Sequence, residues 1–288
     1  MAAISTRTRI STGRAGRSIG EAIPHVILIA YTLIAVFPVL LILMNSFKDR
    51  TAIFGAPFQP PSSETFSTIG YDTVLSRASF PQYFVNSFVV TGVSLLLILL
   101  VGSMAAYALS EYNFRGNRLM GLYLSIGIMI PIRLGTVGLL RLMVSLNLVN
   151  SLVALILVYI AQGLPLTIFI LTQFMRQVPR ELKDAARIDG ASEYRIFWLV
   201  VPLVRPALGA IGVFTMIPIW NDLWFPLILA PSDKTATVTL GVQQFLGQFV
   251  SDWNAVLSSL TLAMVPILIL YILFSRQLMR GLTAGAIK

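Results

Sequence analysis

The sequence predicts an all-α polytopic membrane protein with six transmembrane helices and both termini in the cytoplasm. Of its 288 residues, 56% are hydrophobic and 11% are charged, and the mean hydropathy is +0.82. This composition is too apolar for a single soluble core. Several apolar runs also reach the roughly 18 residues that a helix needs to cross a bilayer. A chain that is solvated mainly by lipid explains both observations.

The apolar runs define one six-helix transmembrane domain, 25–280, between a basic N-terminal tail, 1–24, and a short C-terminal tail, 281–288. The six predicted spans are 25–47, 83–109, 119–142, 151–174, 207–229 and 256–278. Prolines in the third to sixth spans predict kinked helices. An even number of spans puts both termini on the same side of the membrane.

The distribution of Lys and Arg predicts the orientation. If the N-terminus is cytoplasmic, 15 of the 21 basic residues lie on that side, five lie on the other, and Arg133 lies inside the third span. Basic residues concentrate in cytoplasmic loops, so both termini are predicted to be cytoplasmic. The net charge of +9 then reflects membrane orientation, and no nucleic-acid partner is expected.

The chain lacks the residues that metal binding, cysteine chemistry and nucleotide binding require. It has no cysteine and a single histidine, His25, so neither a thiolate nor a histidine-cluster metal site is expected. The phosphate-binding pattern G-x-x-x-x-G-K-[ST] is also missing, which predicts that this chain has no nucleotide site of its own. We therefore expect no enzyme activity and no cofactor on this chain.

Three connections are long enough to carry function. Two are predicted on the outer face, at about 48–82 and 230–255, and one on the cytoplasmic face, at about 175–205. In the cytoplasmic loop, Pro179 suits the first turn of a helix. Glu181 and Asp184 are acids near its N-terminus, and Gly190 suits a left-handed end. This pattern predicts a short helix, a turn and a second helix at the cytoplasmic surface.

Within this loop, DAARIDG resembles the Glu-Ala-Ala motif of permeases in binding-protein-dependent ABC importers, with Asp184 in place of the leading Glu. The segments SEYNFRGNRLMGLYLSIGIMIPIRLG, WNDLWFPLILA, TVTLGVQQF and RGLTAGAIK are similar to maltose-type carbohydrate permeases, so the resemblance runs from about Tyr83 onward. It implies the type I ABC importer permease fold and a sugar or sugar derivative as cargo.

The resemblance also implies how the subunit is driven. In this family the short cytoplasmic helix is a coupling helix that sits in a cleft of the ATPase subunit. Two ATPase copies, carrying the ATP and Mg, and a second, different permease are the implied partners. The residues that match the motif and would contact the ATPase are Glu181, Asp184, Ala185, Ala186 and Gly190.

A periplasmic or lipid-anchored solute-binding protein is the remaining implied partner. The family loop that reaches into this protein corresponds to 230–255 here. The candidate contact residues are Gly241, Gln243, Gln244, Phe245 and Gly247. The alternative interpretation of this loop is a folded cap with no partner.

Charged groups inside a span are costly and usually face a cavity or another helix. Arg133 and Asp222 lie at similar predicted depths, so we expect them to line a wet cavity, as an ion pair or as separately solvated groups. Sugar sites combine aromatic rings with amides and carboxylates. The candidate path residues are Trp220, Asn221, Asp222 and Trp224, together with Arg133, Tyr123 and Gln162. Trp224 is equally well explained as an interfacial anchor.

Two other classes of protein remain as alternatives. An ion-coupled secondary transporter would need ionisable groups in its spans, and apart from Arg133 and Asp222 these are scarce. An integral scaffold or enzyme would need a reactive cluster that the sequence does not offer. The sequence does not distinguish a neutral sugar from an anionic one.

Overall fold

The computed structural model describes residues 14–76, 79–246 and 251–286, with the backbone alone for 14–22 and 273–286. Within these ranges the chain is helical, apart from turns and an isolated antiparallel bridge between Lys48 and Phe66. The α-helices are α1 (Arg14–Asn45), α2 (Arg50–Gly55), α3 (Ile69–Ser76), α4 (Phe80–Glu111), α5 (Asn117–Met129), α6 (Thr136–Ser145), α7 (Leu152–Arg176), α8 (Arg180–Ile188), α9 (Glu193–Val200), α10 (Arg205–Trp220), α11 (Trp224–Leu229), α12 (Val238–Gln243) and α13 (Trp253–Ala286). Two 3-10 turns, Ile132–Gly135 and Val201–Val204, precede α6 and α10.

The described helices include five that are long and apolar enough to cross a membrane, or six spans if one bent pair is counted as a span. The five are carried by α1, α4, α7, the α9–α10 stretch and α13. We call the side on which α8 lies the inner side, and the side of α2, α3 and α12 the outer side. The all-α, multi-span prediction is confirmed.

The third predicted span is not a continuous helix. It is divided into Asn117–Met129 and Ile132–Ser145, and the two parts are bent by 85°. Pro131 follows the end of α5 with an extended backbone conformation. It has no peptide N–H to continue the helix, which accounts for the break. By contrast, Pro165 and Pro266 lie inside continuous helices, α7 and α13.

The fifth predicted span is displaced toward the N-terminus. The second helix of the cytoplasmic loop was predicted to lie at the surface, but it begins a helical stretch that runs over Glu193–Trp220. Ile196, Phe197 and Val200 are buried there. Burial of these apolar side chains stabilises the segment as part of the helix bundle. The stretch ends at Trp220, and the remainder of the predicted span forms the separate helix α11.

The centre of the fold is the pair α4 and α7, which is built on small residues. A Cβ at Gly102 would lie 2.5 Å from Cγ2 of Thr167, and one at Gly163 would lie 2.6 Å from Cδ1 of Ile98. Small residues at these two crossings allow the helix backbones to approach closely, as in other membrane bundles.

Three groups of buried apolar side chains lie along the bundle. The inner group surrounds Tyr107 and Ile196, the middle group surrounds Tyr159 and Phe225, and the outer group surrounds Phe80. In contrast, none of the most apolar stretch of α1 is buried within this chain. Its side chains are left to contact lipid or another subunit. At the other end, α13 continues to Ala286, so the predicted C-terminal tail is helical over 281–286.

Candidate functional site

The short helix α8 lies exposed on the inner side of the protein. It begins directly after Pro179 and ends before Gly190, whose φ of +75° is the left-handed conformation that glycine adopts without strain. Its polarity is the reverse of that of an ordinary surface helix. Ile188 is 86% exposed, whereas Lys183 is 4% exposed. The large apolar side chain therefore points away from the protein and a lysine points into it.

The inward face of α8 is held by charged groups. Glu111, the last residue of α4, accepts from Nζ of Lys183 at 2.5 Å and from Arg187 at 2.7 Å. Nε of Arg187 also donates to Glu193 at 3.0 Å, and a further donor reaches Asp184 at 2.9 Å. Hydrogen bonding to Glu193, with smaller effects from Glu111 and Asp184, raises the pKa of Arg187.

Two tyrosines complete this inner cluster. Their hydroxyl groups, on Tyr107 and Tyr112, donate to Oε2 of Glu193 at 3.0 and 2.9 Å. Burial, followed by the hydrogen bond to Glu193, raises the pKa of Tyr112. The ends of α4, α8 and α9 are thus joined by one network of charged and hydroxyl groups.

The predicted coupling residues divide between the two faces of α8. Glu181, Asp184, Ala185 and Gly190 are exposed, as a contact with another subunit requires. Ala186 is half-buried and packs against the inner apolar group. Of the pair in the motif, the first alanine faces outward and the second faces the membrane domain. Contact of these residues with an ATPase stays a prediction.

The second region of interest contains the predicted pair of charges within the spans. Arg133, in the 3-10 turn after Pro131, donates to Oδ1 of Asp222 at 3.3 Å. Of the two interpretations of these charges, an ion pair or separately solvated groups, the structure shows the ion pair. The side chain of Arg133 is 67% exposed and that of Asp222 is 8% exposed. The guanidinium therefore faces the open side and the carboxylate forms part of the wall.

Both carboxylate oxygens of Asp222 accept hydrogen bonds from other groups of the protein. Its Oδ2 accepts from the Tyr159 hydroxyl at 2.9 Å and from the peptide N–H of Phe225 at 3.1 Å. Its Oδ1 also accepts from the peptide N–H of Trp224 at 3.4 Å. These peptide groups are the unpaired donors at the start of α11. Asp222 orients Arg133 and secures α11, and little of it is left to bind cargo.

The three neighbouring candidates have different surroundings. Trp220 is 3% exposed, its ring packs on Phe88, and its Nε1 donates to the carbonyl of Ala263. Burial places Trp220 in the helix packing, which argues against the predicted stacking on a sugar. Asn221 is exposed at the end of α10 and its amide donates to the carbonyl of Ile217. Trp224 is 41% exposed, and its Nε1 donates to Thr136 on α6.

Arg133 lies on the wall of a cavity of about 780 Å³ between α5 and α7. Tyr123 and Gln162, the two remaining path candidates, line the same cavity. Its other walls are apolar, and the described lining residues include no carboxylate. A cavity of this size with a few polar groups on apolar walls is typical of a small-molecule site.

The outer loop is folded onto the spans. Gly241 packs against the ring of Tyr83, and Phe245, 4% exposed, packs against Phe80. Gln244 is exposed but bonded to Tyr83 and Asp233. Among the predicted binding-protein contacts, Gly241 and Phe245 are therefore buried and form the cap itself. Gln243 is exposed, and Gly247 lies outside the described residues.

Several residues that the structure brings to these sites were absent from the predicted site residues, among them Glu111, Lys183, Glu193 and Tyr159. A weak signal existed for Glu111, because it is an acid at the end of an apolar run that is followed by a basic segment. Tyr159 carries a hydroxyl in the middle of a span, which requires a partner when it is buried. The inward direction of Lys183 had no signal in the sequence.

These helices and sites define an integral membrane transport protein with an exposed helix on its inner side. Residues 98–284 match the family described as binding-protein-dependent transport system inner membrane component. The chain belongs to this family. It is a non-catalytic permease subunit of the bacterial inner membrane, and ATP is hydrolysed by a separate subunit.

Individual relatives agree with the family. The chain is 32% identical to the diacetylchitobiose uptake system permease protein NgcG of Streptomyces coelicolor, covering 93% of this chain and 89% of that one. It is 34% identical to the arabinooligosaccharides transport system permease protein AraQ of Halalkalibacterium halodurans, covering 88% and 92%. These findings give no support to an ion-coupled transporter.

A solved structure supports the fold. The structure of a bacterial ABC transporter involved in the import of the acidic polysaccharide alginate includes a chain that superposes with a TM-score of 0.77 at 20% identity. The alignment covers 93% of this chain and 99% of that one. The predicted importer-permease fold is confirmed.

Proposed function

We propose that this permease forms one half of the path of an ATP-driven sugar importer and that its α8 helix receives the movement of the ATPase. A second, different permease supplies the other half of the path. Two copies of the ATPase, which carry ATP and Mg, engage the inner side. The observation that carries this proposal is the reversed polarity of α8.

The polarity of α8 favours a protein partner over the membrane. Ile188 is 86% exposed and Leu182 is 41% exposed, beside the exposed carboxylates of Glu181 and Asp184. A helix that lay on lipid would turn its apolar residues toward the bilayer. In α8 they point away from the membrane domain, so a second protein is the surface that can bury them. A hydrophobic centre with charged edges is typical of protein interfaces.

A single-cysteine crosslink tests the engagement of α8. The natural chain has no cysteine, so Ile188→Cys provides one reactive site for a photo-activated maleimide in the assembled complex. The expected product joins the permease to the ATPase. Arg115→Cys, on the exposed turn between α4 and α5, is the matched control and should give much less product. Equal yields from both positions would contradict the proposal.

The cargo is proposed to be a sugar or sugar derivative. The names of the two relatives refer to diacetylchitobiose uptake and to arabinooligosaccharides transport. The cavity between α5 and α7 is large enough for such a molecule, and Tyr123, Arg133 and Gln162 offer a ring, a cation and an amide on its wall. Trp224 lies beside this group through its bond to Thr136. Transport in proteoliposomes, with and without ATP and the ATPase, tests the proposed activity. Uptake without either would refute it.

The outer cap is the proposed docking surface for the solute-binding protein. Gly241 and Phe245 are buried and Gln244 is bonded to Tyr83 and Asp233, so among the described candidates the exposed Gln243 is the one free to make this contact. Gln243→Lys should weaken stimulation of ATP hydrolysis by the binding protein while leaving the hydrolysis measured without that protein unchanged. Full stimulation of this variant would count against docking at α12.

A further inference from the structure

The attachment of α8 to the membrane domain depends on a buried pair of charges. Lys183 and Glu111 have side chains that are 6% and 10% exposed, and they are in direct contact. A buried lysine is tolerated when it is paired and hydrogen-bonded, and removing its partner leaves an uncompensated charge. The second oxygen of Glu111 binds Arg187, one helical turn further along α8. Glu111 therefore binds α8 at two successive turns.

Apolar contacts of α8 with the membrane domain are small by comparison. Its two large apolar side chains, Leu182 and Ile188, are exposed. Ala186 is the α8 residue that packs against the inner apolar group. The attachment of α8 to the membrane domain therefore depends mainly on its charged contacts. The two bonds to Glu111 are the most buried of these contacts.

Through its position at the end of α4, Glu111 connects α8 to a membrane-spanning helix. Glu111 is the last residue of α4, and α4 packs along α7, which carries one wall of the cavity. A displacement of α8 that left α4 behind would strand Lys183 without its counter-charge. The two helices are thus expected to move together.

We propose that Glu111 is a positioning residue that transmits movement of α8 to α4, and so to the walls of the path. This inference rests on the proposed function, in which α8 receives movement from the ATPase. Glu111 contacts neither cargo nor nucleotide in this role. It converts a contact at the inner surface into a displacement of a membrane helix.

The test uses the full importer complex in proteoliposomes. Its readout is the accessibility of a cysteine in the cavity, which can be measured without identifying the cargo. Ile126 lines the cavity and is 46% exposed, so Ile126→Cys reports on access to the path. The rate at which a membrane-impermeant maleimide modifies this cysteine is measured with and without ATP and vanadate. In the parent complex the rate should depend on nucleotide. In the Glu111→Gln complex this dependence should be lost, while ATP hydrolysis continues.

A second readout separates positioning from a general loss of structure. A spin label on Ile188→Cys should become more mobile in the Glu111→Gln permease, while one on Trp198→Cys, on α9, should not change. Arg115→Gln removes a charge from the α4–α5 turn that has no ion pair with any described residue, and it should leave both readouts at parent values.

If Glu111→Gln does not assemble, Arg187→Gln decides the question. Its side chain is 34% exposed, so its removal buries no unpaired cation, yet it takes away one of the two bonds to Glu111. The nucleotide dependence of maleimide labelling in the Ile126→Cys reporter should then be weakened. Parent-like dependence in either assembled variant would overturn the inference. Failure of the Ile188→Cys crosslink to the ATPase would instead overturn the proposed function.

Discussion

Replacing Asp222 by alanine should destabilise the protein far more than removing Arg133, its partner in the ion pair. The reason is the burial of the other bonds of Asp222. Loss of the carboxylate leaves the Tyr159 hydroxyl, on a residue that is 2% exposed, without an acceptor. An unsatisfied buried donor costs about 1–3 kcal/mol. Losing the acceptor for the first peptide groups of α11 adds about 0.5–2 kcal/mol, as for other helix N-termini.

The bond to Arg133 adds little to this total. Its side chain is 67% exposed, and exposed ion pairs contribute roughly 0–1 kcal/mol. Asp222→Ala should therefore cost ~1.5–5 kcal/mol, and Arg133→Gln less than about 1 kcal/mol. Tyr159→Phe removes one hydrogen bond to a charged acceptor, worth ~1.5–3 kcal/mol. The expected order of destabilisation is Asp222→Ala, then Tyr159→Phe, then Arg133→Gln.

Denaturation of the purified permease in detergent, with the three variants measured in parallel, gives this order. The double variant Asp222→Ala with Tyr159→Phe supplies an internal check, because its cost should be less than the sum of the two single costs when the residues share a bond. An Asp222→Ala protein as stable as Arg133→Gln, or strictly additive single costs, would refute the reasoning from the buried bonds.

Three further predictions concern other parts of the molecule. Gly102→Ala should destabilise the α4–α7 pair by ~1–3 kcal/mol through the 2.5 Å approach to Thr167, whereas Gly92→Ala, which meets nothing within 4 Å, should not; equal thermal stability of the two variants would contradict this. Gly241→Ala should displace the ring of Tyr83, which the added Cβ would overlap, and reduce stimulation of ATP hydrolysis by the binding protein, with Gly55→Ala, which also meets nothing within 4 Å, as the unaffected control. Arg133→Gln should reduce uptake of the cargo while costing less than about 1 kcal/mol of stability, so unchanged uptake would remove Arg133 from the path.

The sequence predicted the spans well where hydrophobicity alone decides them. The apolar runs located α1, α4, α7 and α13 because each is a long helix surrounded by lipid or by apolar neighbours. The third span was wrong as a continuous helix, because hydropathy does not register the peptide N–H that Pro131 lacks. The segment at Glu193 was placed on the surface because amphipathic character does not reveal which apolar face a fold will cover.

The candidate sites were predicted in part for a similar reason. Arg133 and Asp222 were identifiable because charges in a span are rare. Asp222 is buried and Arg133 is exposed because Asp222 binds Tyr159 and the start of α11. Tyr159 lies 63 residues from Asp222 in the sequence, so this contact could not be predicted. The inward direction of Lys183 contradicts the usual orientation of an amphipathic helix. Tertiary structure decided it, through an acid 72 residues away.

The reversed polarity of α8 also bears on how the complex is assembled. A permease made without its ATPase would carry Ile188 and Leu182 as bare apolar side chains next to the aqueous phase. Such surfaces promote aggregation and attract chaperones and proteases. In the proposed complex the ATPase would cover this helix, so these two side chains would be exposed to water only in a permease that lacks its ATPase.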